Sequence, residues 1–226
     1  MACDAYFSNG GPVNYDNVDL TGFYLPYADV IRARYVKLLG FVEHAFKPGR
    51  LIDIGAGMGF SVEVARERGW AATGLEPNFS MAQHAVKRGL DVRRAYLGSD
   101  TVGEFELVLI DNVLEHIPQP VSFLAHAARL LSPAGLLVVA IPPFDWLRSI
   151  LGRLAYVRDH VSIPQLNVFN EVDEHVNVFG RLGMVKLAGR VGLCPLNLRF
   201  HHSSVFDNAL ARALAIDDGY HFFARV

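Results

Sequence analysis

Apolar positions along the chain follow two rhythms. From Pro26 to about Phe46, the residues Ile31, Tyr35, Leu38, Leu39, Val42 and Phe46 recur at helical spacing, and Pro48-Gly49 closes the stretch. Short unbroken apolar runs then alternate with helical periods. Strands are expected at Arg50–Ile54, Ala71–Leu75, Asp91–Arg94, Phe105–Ile110 and Gly135–Ile141. Helices are expected at Phe60–Arg68, Phe79–Arg88 and Gln119–Leu131, the last with Val121, Leu124, Ala128 and Leu131 on its inward face and with the turn Ser132–Gly135 behind it. Gly69 and Gly89 stop the first two. Strands that read as continuous Leu, Ile and Val runs, each followed by a helix, argue an α/β fold with a parallel sheet covered on both faces.

The pattern loosens at both ends of this core. Residues 1–25 are rich in Asn, Gly, Asp and aromatic side chains without a period, and are expected to be an irregular arm. The stretch 142–174, with Pro142, Pro143, Arg148, Arg153, Arg158 and Pro164, has the character of an insertion that caps the substrate. A helix over Gly180–Val191 and strands over Pro195–His201 and Tyr220–Val226 complete the expected elements.

Composition narrows the class. At 226 residues the chain suits one domain with a self-sufficient core. Its 51% hydrophobic and 19% charged residues exclude a disordered polymer. The apolar excess raises a membrane span, but no run approaches the roughly 20 consecutive apolar residues that a span requires. The first residues lack a basic segment followed by an apolar one, so a cytoplasmic protein is expected, with Cys3 and Cys194 as free thiols. A net charge of −2 provides no field for nucleic acid, so a small-molecule partner is expected.

The candidate chemistry lies in Asp53-Ile54-Gly55-Ala56-Gly57-Met58-Gly59-Phe60, directly after a strand and opening a helix. Glycines let the chain turn tightly and let a ligand approach the backbone, and the helix start offers unpaired N–H groups. A dinucleotide fingerprint, G-x-G-x-x-G, would place its third glycine at position 60, where this chain has Phe60. Glu76, just past the second strand, is placed to accept both hydroxyl protons of a ribose. These features indicate a nucleoside and leave its identity open.

The stretch Leu51 to Gly59 resembles the first motif of class I S-adenosylmethionine-dependent methyltransferases, and Gly74-Leu75-Glu76-Pro77 resembles their acidic second motif. Phe105 to Ile117, ending in Leu114-Glu115-His116-Ile117, is similar to their fourth-strand motif. Leu130 to Val139 is similar to the turn into their fifth strand, and Glu174 to Phe179 to a later stretch of the branch that includes ubiquinone-biosynthesis-like and sugar-modifying members. The resemblance covers residues 26–200 and implies a Rossmann-like, seven-stranded, mostly parallel sheet in strand order 3-2-1-4-5-7-6, its last strand antiparallel, with helices on both faces.

It also implies S-adenosyl-L-methionine as cofactor. Asp53, Gly55, Ala56, Gly57, Gly59 and Phe60 would cradle the methionine end and ribose. Glu76 would take the ribose hydroxyls, flanked by Pro77 and Asn78. Tyr96 and Leu97 would lie near the adenine, and Asp111, Asn112 and Val113 would face the amino-acid portion. The implied reaction is methyl transfer to a small molecule, with a hydroxyl of a sugar or secondary metabolite as the expected acceptor. His116 is the first candidate base and His175 the second, because an imidazole titrates near neutrality. A capping or packing role stands beside the catalytic one for both. The aromatic arm would be a lid or a homodimer contact. No metal is expected, since His84, His160, His201 and His202 lack ligand spacing. An NAD(P)-dependent oxidoreductase and a catalytically silent methyltransferase-like binding protein are the alternatives.

Overall fold

Every central strand of the sheet divides its side chains between two cores. Leu51, Leu107, Leu109, Leu136 and Val138 face one cluster, while Ile52, Val108, Ile110, Leu137 and Val139 face the other. Such strands are apolar throughout because both faces are covered, as expected for parallel strands joined by helical crossovers. The computed structural model describes residues 5–7, 16–141, 177–179, 181–196 and 220–226. The expected insertion over 142–174 and His175 lie outside them.

The strands are β1 (Ala5–Phe7), β2 (Arg50–Ile54), β3 (Ala71–Leu75), β4 (Val92–Arg93), β5 (Phe105–Asp111), β6 (Leu131–Ile141), β7 (Asn177–Phe179), β8 (Cys194–Leu196) and β9 (Tyr220–Arg225). Seven of them form one sheet in the order β4-β3-β2-β5-β6-β9-β8. Pairing is parallel from β4 to β6, whereas β9 runs antiparallel to both β6 and β8. Numbered within that sheet, the order is 3-2-1-4-5-7-6 with the last strand reversed, as the resemblance implies. A separate two-stranded ribbon pairs β1 with β7.

The helices are α1 (Thr21–Tyr24), α2 (Ala28–Glu43), α3 (Phe60–Glu67), α4 (Phe79–Lys87), α5 (Pro120–Ala128) and α6 (Arg181–Arg190). Helices α2, α3 and α4 fill the first core, and α5 and α6 the second. Arg32 of α2 joins Glu63 and Glu67 of α3, and Glu43 accepts from Arg68 and from Trp70 Nε1 at 3.0 Å, so α2 is fastened against the edge of the glycine loop's helix. The crossover 94–104 contains no helix. The sheet face there opens into a groove of about 630 Å³ lined by Arg50, Thr73, Arg93 and Phe105. Among the described residues, no helix is long and apolar enough to cross a membrane.

Three local expectations change. The arm is not wholly irregular, since it contains β1 and α1. Helix α5 stops at Ala128, and its inward face is Leu124, Ala127 and Ala128, while Val121 is exposed. Leu131 already pairs with Phe105, so Ser132–Gly135 is part of β6, carried as a bulge before Leu136 pairs with Leu107.

Candidate functional site

The glycine loop is pinned before any ligand arrives. Leu75 O accepts from Gly55 N at 2.8 Å and from Ala56 N at 2.9 Å, and Ala56 O accepts from Gly59 N at 2.9 Å. Gly55 and Gly59 take φ values of +84° and +78°, a left-handed conformation that glycine adopts at little cost. Space is short as well. A Cβ on Gly55 would overlap Val113 Cγ2, and one on Gly59 would sit 2.8 Å from Leu90 Cδ1 and 3.0 Å from Ala85 Cβ. The loop therefore lies flat between the exits of β2 and β5 and the flank of α4. Phe60, which replaces the glycine of a dinucleotide fingerprint, is buried in the core beneath α3 with the Arg88 guanidinium 5.5 Å from its ring centroid.

Glu76 joins the loop to the nucleoside side. Its side chain is buried, with the residue 7% exposed. Oε2 accepts from Gly57 N and Oε1 from Asn78 N, each at 2.7 Å. Burial pushes the carboxyl above its usual range while the two amides pull it back. Each oxygen keeps a lone pair for a ligand hydroxyl. The Asn78 side chain fastens the neighbouring segments. Its Oδ1 caps α4 by accepting from Met81 N at 3.0 Å, and its Nδ2 donates to Val18 O at 2.9 Å. Pro77 O accepts from Arg94 Nε at 3.3 Å.

Residues 16–19 cross beside this edge. Phe79 N donates to Asp16 O at 2.8 Å, Arg94 Nη2 to Asn17 Oδ1 at 3.1 Å, and Tyr96 OH to the Asp16 carboxylate. That last bond, with partial burial, pushes the Tyr96 phenol up to about 12. Tyr96 is 64% exposed, and Leu97 packs against the second core.

The opposite side of the loop concentrates charge. Asp53 of β2 is 1% exposed. Ser61 Oγ donates to one of its oxygens, and Oδ1 has no hydrogen-bond partner among the described residues. Burial pushes its carboxyl up to about 7, opposed by the Ser61 bond and reinforced by Asp111 and Glu76. Asp111, the last residue of β5, accepts from Tyr35 OH at 2.6 Å, pairs with Arg34, and accepts from Asn112 Nδ2 at 3.2 Å. Burial is the largest single effect and opposes the Arg34 charge, but Asp111, Tyr35 and Asp53 together outweigh it and keep the guanidinium firmly charged. Asn112 holds a left-handed backbone at φ +52° with its N–H on Ala140 O at 3.0 Å, and Val113 packs against Gly55.

Arg34 and Tyr35 are the site residues that the sequence pattern did not single out. Tyr35 sits on the apolar stripe of α2 and reads as core. The one available signal was its hydroxyl, which needs a partner at that depth.

A short 3₁₀ turn over Leu114–His116 follows β5. His116 N donates to Val113 O at 2.9 Å, and Asn177 Nδ2 of β7 donates to Ile117 O at 2.6 Å, so the turn is tied at both ends. The His116 side chain is 35% exposed, with Nε2 4.0 Å from Glu115 Oε1.

The structure thus gathers Asp53, the glycine loop, Glu76, Asp111, Asn112, Val113 and His116 at the carboxyl ends of β2, β3 and β5, where open α/β sheets bind ligands. A nucleoside carrying an amino-acid tail fits this donor set. Glu76 suits a diol, the unsatisfied Asp53 oxygen suits an ammonium group, and Arg34 suits a carboxylate.

Comparison with known proteins agrees. A family model described as a methyltransferase domain matches residues 27–196. Among curated proteins, a ubiquinone biosynthesis O-methyltransferase of Caulobacter sp. (strain K31) is 36% identical over 104 residues, 42% of this chain and 41% of that protein. The protein of the same description from Nitrosococcus oceani is 29% identical over 129 residues, 52% of each chain. The match thus spans about half the length of these curated relatives or less. Among solved structures, a SAM-dependent methyltransferase from Archaeoglobus fulgidus superposes with a TM-score of 0.63 at 16% identity, covering 92% of this chain and all of that one (100%). The magnesium protoporphyrin IX methyltransferase from Synechocystis PCC 6803 with bound SAH gives 0.59 at 14% identity, covering 96% of this chain and 90% of that one. At these identities, the structural likeness establishes the shared fold.

Proposed function

The chain belongs to the family of methyltransferase domains, and from that premise we propose that it transfers a methyl group from S-adenosylmethionine to a hydroxyl of a small molecule. The observation that carries the cofactor is Glu76, a buried carboxylate fixed by the loop amide of Gly57 and by Asn78, with one lone pair per oxygen left for a ribose diol. Asp53 and Asp111 would hold the ammonium group, and Arg34 and Tyr35 would close the amino-acid end from α2. Tyr96 would border the adenine. S-adenosylmethionine, when bound, supplies a methyl group already activated on a sulfonium. The protein's work is therefore alignment and proton removal, and alignment alone can supply about 7–11 kcal/mol.

The oxygen acceptor rests on the relatives, which are described as O-methyltransferases of ubiquinone biosynthesis. That role favours an aromatic hydroxyl as the form of the sugar or secondary-metabolite hydroxyl that the resemblance implies. His116, half-exposed at the end of β5, is the proposed base for such a hydroxyl. Phe60 at the third fingerprint position disfavours a dinucleotide. Calorimetry with S-adenosylhomocysteine tests the cofactor, with binding expected in the micromolar range and NADH giving no heat. Absence of binding at several hundred micromolar, well above the usual range of cofactor affinities, would overturn the assignment. Methyl transfer to 3,4-dihydroxybenzoate as a soluble aromatic probe tests the acceptor class.

Asp53 gives this binding a pH dependence. In the free protein its carboxyl is pushed up to about 7, so it is largely protonated below that pH. A bound ammonium favours the ionised form. Binding below pH 7 should therefore release up to one proton, and affinity should rise by up to about tenfold per pH unit until Asp53 is ionised in the free protein. Calorimetry at pH 6 in two buffers of different ionisation enthalpy measures that proton. Asp53→Asn should abolish the release as well as weaken binding.

A further inference from the structure

Residues 16–19 tie together the loops that follow β3 and β4. On the first, Asp16 O accepts from Phe79 N at 2.8 Å, and Val18 O accepts from Asn78 Nδ2 at 2.9 Å and from Ser80 Oγ at 3.3 Å. On the second, Asn17 Oδ1 accepts from Arg94 Nη2 at 3.1 Å, and Asp16 Oδ1 accepts from Tyr96 OH. The segment carries two acids. Asp19 serves α1, where its Oδ1 accepts from Thr21 N at 3.0 Å and from Thr21 Oγ1 at 2.6 Å. Asp16 is partly buried and shares a neighbourhood with Glu76: its charge raises the Glu76 carboxyl, and Glu76 in turn raises the Tyr96 phenol.

The strand order fixes which part of an adenosyl ligand reaches Asp16. The sheet runs β4-β3-β2-β5 from its edge. An amino-acid tail held by Asp53 and Asp111 lies at the ends of β2 and β5, and a ribose held by Glu76 lies at the end of β3. The base continues in the same direction, to the end of β4, where Asp16 and Tyr96 meet. There adenine presents its exocyclic amine, a donor of two protons that needs an acceptor. Two other acceptors at this corner are engaged, since Arg94 donates to Pro77 O at 3.3 Å and to Asn17 Oδ1. The nearest later acid, Asp100, has its Oδ1 against Gly98 in its own turn. A carboxylate has two oxygens with about four lone-pair directions, so Asp16 can take an amine in addition to the partners that it has.

We propose that Asp16, brought by the amino-terminal segment, accepts the exocyclic amine of adenine and so sets a preference for an adenosyl ligand. This role rests on the proposed reading of the site as one for S-adenosylmethionine. Tyr96 is then the residue that aims the acid. Its phenol, pushed up to about 12, keeps its proton through the physiological range and so keeps donating to Asp16. Because a carboxylate only accepts, the same arrangement repels a base with a carbonyl at this position, and discrimination does not depend on a closer fit of the ring.

S-inosylhomocysteine tests this, because it carries a carbonyl where S-adenosylhomocysteine carries the amine. By calorimetry, the unaltered protein should bind S-adenosylhomocysteine about tenfold to a hundredfold more tightly, the contribution of one hydrogen bond to a charged group. Asp16→Ala should lose S-adenosylhomocysteine affinity by about that factor without losing affinity for S-inosylhomocysteine, so that the preference collapses. Asp16→Asn keeps the shape and the acceptor for Tyr96, and its amide can turn a donor toward a carbonyl. It should bind S-inosylhomocysteine more tightly than the unaltered protein does. Equal affinity of the unaltered protein for the two ligands would overturn the proposal. So would a preference that survives in Asp16→Ala, or a loss equal for both ligands, which would mean that Asp16 only ties the segment in place. Binding of neither ligand would remove the adenosyl reading on which the proposal rests, so the ratio of affinities and their presence report the two failures separately.

Discussion

Glu76→Ala is expected to weaken S-adenosylhomocysteine binding by about a hundredfold to a thousandfold. A hydrogen bond to a charged group contributes about 1.5–3 kcal/mol, and a ribose diol would make two to this carboxylate. Truncation also leaves Gly57 N and Asn78 N without the oxygens that they meet at 2.7 Å, so the loop amide loses the orientation that the ligand needs. Glutamine is not a conservative replacement here. Its amide nitrogen would point a donor at one of two backbone donors, so Glu76→Gln should recover only part of the affinity. Stability should respond less than binding. Burial already raises the free energy of the Glu76 carboxylate, and removing the charge relieves that penalty while it strands the two amides. Calorimetry gives the affinity, and thermal unfolding of the free protein gives the stability. Unchanged affinity would remove Glu76 from the site.

Glu76 was legible in the sequence because its position follows from one local fact. A carboxylate directly after the second strand of a parallel sheet emerges at the ligand edge, whatever the rest of the chain does. The strand segments 107–110 and 136–141 were legible for a similar reason: two-sided burial writes itself as an unbroken apolar run. Contacts between distant segments leave no such mark. Arg34 and Tyr35 meet Asp111 across 77 and 76 residues, and no local pattern encodes that meeting. Tyr35 falls on the same stripe as Leu38, Leu39 and Val42, and only its hydroxyl separates it from core. The β1–β7 ribbon, with three residues in each strand, is too short to show a period. Helix α5 was extended too far because Leu130 and Leu131 continue an apolar trend that belongs to the next strand. The bulge that follows looked like a turn because Ser132-Pro133-Ala134-Gly135 has turn composition, yet the backbone stays extended along β5. Glu115 was visible only as part of a motif. Its burial, with neither oxygen hydrogen-bonded among the described residues, follows from contacts that no local pattern encodes.

The glycine loop allows the sharpest test of how the site is built, because its two constraints can be separated. Gly55→Ala should lower stability by about 2–5 kcal/mol. An alanine at φ +84° costs about 1–2 kcal/mol through clash with its own backbone. The rest comes from overlap of the new methyl group with Val113 Cγ2, which overpacks a rigid junction by about 1–3 kcal/mol. At about 2–4 °C per kcal/mol for a chain of this size, the unfolding midpoint should drop by roughly 5–15 °C. Val113→Ala in the same protein removes the overlapping methyl and should restore the second part of the loss but not the first. The double-mutant cycle should therefore show favourable coupling of about 1–3 kcal/mol. Binding should not recover in parallel. Val113 sits beside Asn112 and Asp111, and Gly55 anchors the loop whose Gly57 amide orients Glu76, so the repacked double variant regains its fold before it regains the geometry that the ligand requires. Full stability in Gly55→Ala alone would mean that the loop does not lie against Val113. Additive losses in the double variant would mean that φ is the only constraint and that the close approach of β2 and β5 at this point plays no part in shaping the site.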